Sequence, residues 1–200
     1  PVVIKKLLPA QVFRKLAALY ADMQDQYSAH ARALGLTCVG CEHNCCTSYF
    51  QHHTRIEWAY LLQGLRKLPA ERRAAYERRA LAYVREAQDA LVRGERPAAM
   101  CPLNDDGLCG VYAHRLMICR LHGVPNRLRY PNGSVVDFPG CHRSQDLCAG
   151  SESFPVLDRT ALYTRLMELE VHFVGPGRIR SLPRVDLTLA EMIVQGQPLF

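Results

Sequence analysis

The stretch Cys38-Val39-Gly40-Cys41-Glu42-His43-Asn44-Cys45-Cys46 constrains this chain more than any other. Four thiols, a histidine and a glycine lie within nine residues. Cysteine that only packs behaves as a small hydrophobe, and packing gives no reason for C-x2-C-x3-C-C spacing in a polar, turn-like segment. Metal coordination does, because a C-x2-C loop brings two thiolates round one ion with little chain strain. A second set of donors is then wanted, and the chain supplies Cys101, Cys109, Cys119 and Cys141, with Cys148 left over.

Nine cysteines in 200 residues also allow a disulfide framework. Stapled domains, however, are usually much shorter and secreted. Residues 1–8 hold two lysines and a few apolar residues, too little for a signal-peptide core. No apolar run approaches the roughly 20 residues of a membrane span. The expected compartment is a reducing cytoplasm, so metal is preferred to disulfides. The length suits one domain with a real core. The net charge of +6 leaves nucleic acid only a minor place among the readings, because much of it sits on one predicted helix.

Helical spacing of Val12, Leu16, Leu19, Tyr20, Met23 and Tyr27 predicts a first helix over 10–34, stopped by Gly35. Thr54-Arg55-Ile56-Glu57 fits a capping box opening a second helix to about residue 68. Pro69 suits the first turn of a third, over 70–93, with Gly94 closing it. Its buried stripe is predicted as Tyr76, Ala80, Tyr83, Val84, Ala87 and Leu91. The opposite face carries Arg72, Arg73, Arg78, Arg79, Arg85 and Arg93, read as a solvated face partly paired by Glu77, Glu86 and Asp89. After an Asn104-Asp105-Asp106-Gly107 turn and a short helical piece near Cys119, residues 127–130 and 134–138 flank Pro131-Asn132-Gly133 as a hairpin. A last long helix is predicted over 154–174, with Asp158 as N-cap and Leu162, Leu166, Leu169 and Phe173 as its stripe. Gly175-Pro176-Gly177 breaks it. The expected architecture is mostly α: one helical cysteine-cluster domain over 1–175, its metal-binding centre within 38–148, and a tail over 176–200 with a short helix at 186–194.

Thiolates favour zinc or iron–sulfur clusters over the oxygen-seeking magnesium and calcium. Neighbouring side chains diverge, so Cys45 and Cys46 are expected to serve two sites, or one a metal and the other the packing. Four-thiolate zinc would act as a structural staple. The second set is spaced by seven, nine and twenty-one residues, unlike a zinc ribbon, and Cys101-Pro102 suits an iron–sulfur site. Iron–sulfur is therefore slightly favoured over zinc. His43, His52, His53, His114, His122 and His142 lie near the thiols in sequence, and each is read first as a polar neighbour or hydrogen-bond donor to a thiolate. His52, His53 and His142 are the exceptions best placed to ligate. Glu57 is read as a cap.

The order C-x2-C-x3-C-C, Cys101-Pro102-Leu103, Gly107-x-Cys109-x-Val111-Tyr112-x2-Arg115-x3-Cys119-Arg120, then Cys141, resembles the CxxCxxxCC family of zinc- or iron-chelating proteins, some of which are described as iron–sulfur-cluster proteins. The resemblance spans about 38–141. It implies eight ligands: Cys38, Cys41, Cys45, Cys46, Cys101, Cys109, Cys119 and Cys141. It also suggests supporting roles for Tyr112, Arg115 and Arg120, since arginine can offset thiolate charge. Two departures touch no ligand: Arg115-Leu116 stands where the family usually has Arg-Pro, and Val111 replaces isoleucine.

The same signature occurs in flagellin lysine N-methylase, which implies a cluster-dependent redox or methyl-transfer enzyme as one alternative. This chain shows no G-x-G-x-x-G loop. A zinc-stapled interaction module that uses its basic helix or tail on a protein or nucleic acid is the other. A hydrolase built on Cys148 is weaker, because nothing nearby marks a base for it.

Overall fold

The computed structural model describes residues 5–39, 41 and 45–200. The expectation for His43 lies outside them. Secondary structure is mostly helical, and the described chain forms two compact units. The first comprises the described part of Pro1–Pro9, Cys46–Leu116 and Glu170–Phe200; the second comprises Ala10–Cys45 and Met117–Leu169. No helix among the described residues is long and apolar enough to cross a membrane.

The first unit is built on α2 (Arg55–Arg66) and α3 (Ala70–Val92). Their buried faces present Trp58, Leu61, Leu62 and Leu65, and Tyr76, Ala80, Tyr83 and Ala87, to one core. Each fully buried leucine there contributes roughly 2 kcal/mol. Ala90, not Leu91, completes the α3 stripe; Leu91 is half exposed near the helix end. The last helix, α7 (Leu189–Gln195), joins this core through Leu189, Ala190, Met192 and Ile193, and Trp58 Nε1 donates to the Met192 carbonyl at 3.0 Å. The C-terminal segment is thus part of this unit. A capping box starts α7: Glu191 N–H donates to Thr188 Oγ1 at 3.2 Å, and Thr188 N–H donates to Glu191 at 2.7 Å.

The capping box expected at Thr54 is replaced by a longer-range device. Thr54 holds the N-cap position but caps no backbone amide, its hydroxyl donating instead to Glu57 Oε2 at 2.9 Å. The first amides of α2 go to Glu170, which accepts from Arg55 N–H at 3.0 Å and Ile56 N–H at 2.8 Å. The Arg55 guanidinium lies 3.9 Å from the same carboxylate, and both side chains are buried. A negative group at a helix start meets two orphan donors and the positive end of the macrodipole together. Burial pushes the Glu170 carboxyl above its ordinary pKa, against those hydrogen bonds.

In the second unit, α1 (Pro9–Leu34) buries Val12, Leu16, Leu19, Tyr20 and Met23, with Tyr27 partly covered. Gly35 ends it at φ 67°, and the Leu36 N–H closes back on the Ala31 carbonyl at 2.8 Å. The hairpin is present as β3 (Asn126–Arg129) and β4 (Val135–Phe138), numbered after a two-strand ladder of the first unit, β1 (Asn104–Asp105) and β2 (Leu108–Cys109). A third strand, β5 (Leu157–Asp158), pairs parallel with β3. It occupies part of what the sequence assigned to the last helix, so α6 spans Thr160–Val174 instead of starting at 154. Asp158 still serves that helix, accepting from Thr160 N–H at 3.0 Å. The stripe of Leu162, Leu166, Leu169 and Phe173 is buried as expected. Two short helices, α4 (Met117–Leu121) and α5 (His142–Cys148), carry thiols.

Replacing Glu170 with alanine strands two amides and the Arg55 charge at once. The expected loss is about 3–5 kcal/mol, read as a lower urea midpoint, with Glu170→Gln losing less. An unchanged midpoint for Glu170→Ala would contradict this account of how α2 is capped.

Candidate metal centre

All nine cysteines are described, and none is joined to another by a disulfide. In the first unit they are Cys46, Cys101 and Cys109. Cys46 sits in the 3₁₀ turn Cys45–Thr47, and its carbonyl accepts from Cys101 N–H at 2.9 Å. The Cys101 carbonyl accepts from Asn104 N–H at 3.0 Å, and Asn104 is the cross-strand partner of Cys109. Backbone bonds therefore link all three thiol-bearing stretches. Cys101 and Cys109 also pack against the core as partly buried side chains.

This ladder turns at Asp106 and Gly107, both left-handed at φ 50° and 90°, and Asn104 Oδ1 accepts from Gly107 N–H at 2.9 Å. The other end of that amide, Asn104 Nδ2, is a buried donor with no hydrogen-bond partner. The residue that carries it is tied through the backbone to both Cys101 and Cys109, and thiolate ligands take hydrogen bonds from neighbouring donors.

Asp105 fixes the ladder to α3. Arg72 Nη2 and Arg79 Nη2 each donate to its carboxylate at 2.8 Å, the Tyr76 hydroxyl donates to it as well, and Arg79 Nη1 reaches the Asn104 carbonyl at 2.7 Å. The Tyr76 hydroxyl and the two guanidinium groups hold the Asp105 carboxyl down at about 2. Two arginines of the expected solvated face are thus structural, bound to a partner outside their own helix. Arg73 pairs with Glu77 at 3.9 Å and Arg93 with Glu95 at 2.8 Å, while Arg78 and Arg85 are exposed. Next to Cys109, Gly110 lies so close to Tyr76 that a Cβ would fall 1.7 Å from the phenol oxygen.

The second unit holds Cys38, Cys41, Cys45, Cys119, Cys141 and Cys148. Cys38 and Cys41 are exposed, their turn closed by Cys41 N–H to the Cys38 carbonyl at 3.2 Å. Arg143, on the first turn of α5, donates to the Val39 carbonyl between them at 2.8 Å. Cys141 is the N-cap of that helix, its N–H bonded to the Gly123 carbonyl at 3.3 Å, and Cys148 is its last residue. Cys119 lies in α4. Arg120, beside it, stacks over the Tyr20 ring at 4.1 Å; in the first unit Arg115 stands 5.6 Å from the Tyr112 ring centroid.

The histidines divide. His52 is buried, pairs through its backbone with Leu187, and keeps Nδ1 without a hydrogen-bond partner. Burial, helped by neighbouring His53, lowers its pKa to about 3, so it stays neutral. His53 Nδ1 lies 2.8 Å from Asp186 Oδ1 and 3.1 Å from the Val185 carbonyl. His114 stacks on Tyr60 with centroids 4.4 Å apart. His142 opens α5 directly after Cys141.

Among the described residues, no three cysteine, histidine, aspartate or glutamate side chains converge closely enough to hold a metal ion. The soft donor chemistry fits zinc or an iron–sulfur cluster; a closed ligand shell is not formed by these residues alone. Sequence reasoning took Asn104 and Asp105 for turn residues and passed over Arg143. Their position between thiols was the available signal. No known family, curated protein or solved structure matches this chain.

Two outcomes follow from this geometry. Gly110→Ala is expected to lose about 1–3 kcal/mol by overpacking against Tyr76, and a melting temperature equal to wild type would refute the close approach. His52 takes up a proton only near pH 3 in the fold but at 6.5 when exposed. Its neutral burial therefore contributes stability that is complete above 6.5 and is lost as pH falls towards 3. His52→Leu should flatten the urea midpoint against pH across that window; an unaltered slope would show that another group controls it.

Proposed function

We propose that this protein binds metal through its thiols, with Cys38, Cys41, Cys45, Cys46, Cys101, Cys109, Cys119 and Cys141 as ligands, and that it belongs with the CxxCxxxCC proteins it resembles. The observation that carries this reading is the same in both units. Thiol-bearing stretches distant in sequence are tied together by backbone carbonyls, Cys46 to Cys101 in one and Val39 to Arg143 in the other. Packing alone does not call for such ties between polar loops, and a ligand set assembled from several loops does.

An iron–sulfur cluster is slightly preferred to zinc. The thiols come from a loop, a two-strand ladder and two short helices, not from a pair of C-x2-C knuckles. A cluster would supply one-electron chemistry, and zinc would supply a charge-neutralising crosslink. The chain's own residues prepare the place: Asn104 offers a buried donor, Asp105 clamps its ladder, and Arg143 holds the Cys38–Cys41 turn. Metal binding completes the arrangement, since ligation at such sites is coupled to folding. Cluster-dependent redox or methyl-transfer catalysis, and a protein partner met through the exposed Arg78 and Arg85, remain functions such a centre could serve.

Protein purified without oxygen should contain iron and acid-labile sulfide with broad visible absorption. A colourless zinc protein would keep metal binding and replace the cluster. Cys101→Ser and Cys141→Ser should lose most of the metal, while Cys148→Ser keeps it. A folded wild-type protein that carries no metal and takes up none would refute the proposal.

A further inference from the structure

The small sheet of the second unit has two unlike faces. On one, Arg127 pairs with Asp137 at 2.6 Å and Arg129 with Asp158 at 3.3 Å. On the other, Leu128 and Leu157 are buried. Arg159 follows two residues after Leu157, and its N–H donates to the Arg127 carbonyl at 2.9 Å, continuing the parallel ladder. Strand alternation turns its side chain to the apolar face. There it is only 7% exposed, and its Nε is buried with no hydrogen-bond partner. No carboxylate lies within ion-pair distance of it among the described residues.

A cation removed from water without a counter-charge is among the costliest arrangements in a protein. The guanidinium carbon lies 4.0 Å from the centroid of the Phe138 ring, a contact that offsets part of that cost. Tyr163, whose N–H donates to the Arg159 carbonyl at 2.8 Å, packs edge to face with Tyr130 with centroids 6.5 Å apart. Burial lowers the Arg159 pKa from its ordinary value, yet arginine remains charged at any physiological pH. A largely buried guanidinium, its Nε unpartnered and its carbon over the Phe138 ring, therefore lacks one component, an anion.

We infer that Arg159 anchors a binding site for a small monocarboxylate with an apolar or aromatic body. One guanidinium balances one negative charge and matches a carboxylate in fork geometry. A dianionic phosphate would leave a charge unmatched beside the Phe138 ring. Arg127 and Arg129 are already engaged by Asp137 and Asp158, so they do not compete for the ligand.

Calorimetric titration of the full chain with benzoate tests this, with benzamide and inorganic phosphate as contrasting probes. Benzoate should bind saturably with a dissociation constant of about 1 mM or tighter, and both other probes about tenfold more weakly or worse. Arg159→Met keeps the apolar contact, removes the buried charge, and should melt no lower than wild type while losing benzoate. Arg159→Lys keeps a charge without the fork and should bind benzoate at least about tenfold more weakly. Arg129→Gln should bind as wild type. Absence of saturable benzoate binding, undiminished binding in either Arg159 variant, or phosphate binding as tight as benzoate would each overturn the assignment.

Discussion

Irregular backbone has no ladder of its own to hold it, and several of the thiol-bearing stretches of this chain are of that kind. Here the missing order comes from single hydrogen bonds between stretches remote in sequence. The Cys46 carbonyl receives the Cys101 amide, and Arg143 takes the carbonyl between Cys38 and Cys41. Each bond contributes only about 1 kcal/mol net. Their effect lies in position: they fix which stretches lie side by side.

Charged groups extend that order within the first unit. Asp105 gathers Arg72, Arg79 and Tyr76 onto the ladder that carries Cys109, and Glu170 gathers the start of α2 and Arg55. The two carboxylates differ in environment and so in pKa: Asp105, partly exposed and ringed by donors, is pulled down, and Glu170, enclosed, is pushed up. Both tie together parts of the chain that sequence proximity does not join. Arginine suits this work, since one planar fork meets a carboxylate and a carbonyl together, as Arg79 does.

Long periodic elements were the legible part of the sequence. The stripe of α1 from Val12 to Met23, its stop at Gly35, and the buried stripe of α6 are where apolar spacing put them. Short or non-local features were not. Two-residue strands such as β5 have no period to detect, so Leu157 falls within the expected helix and Asp158 at its cap. The Thr54 capping box satisfied its local pattern, yet a carboxylate more than a hundred residues away won the same amides. The spacing of the cysteines is visible in the sequence itself, whereas Asn104, Asp105, Arg143 and the buried Arg159 acquire their meaning only from neighbours brought in by the fold.

The central claim is that these sulfur atoms bind metal. X-ray absorption at the metal edge of protein purified without oxygen measures it directly, because it reports the atoms bonded to the metal. The account predicts a first shell of sulfur at about 2.3 Å. A first shell made only of nitrogen and oxygen at about 2.0–2.1 Å would contradict it.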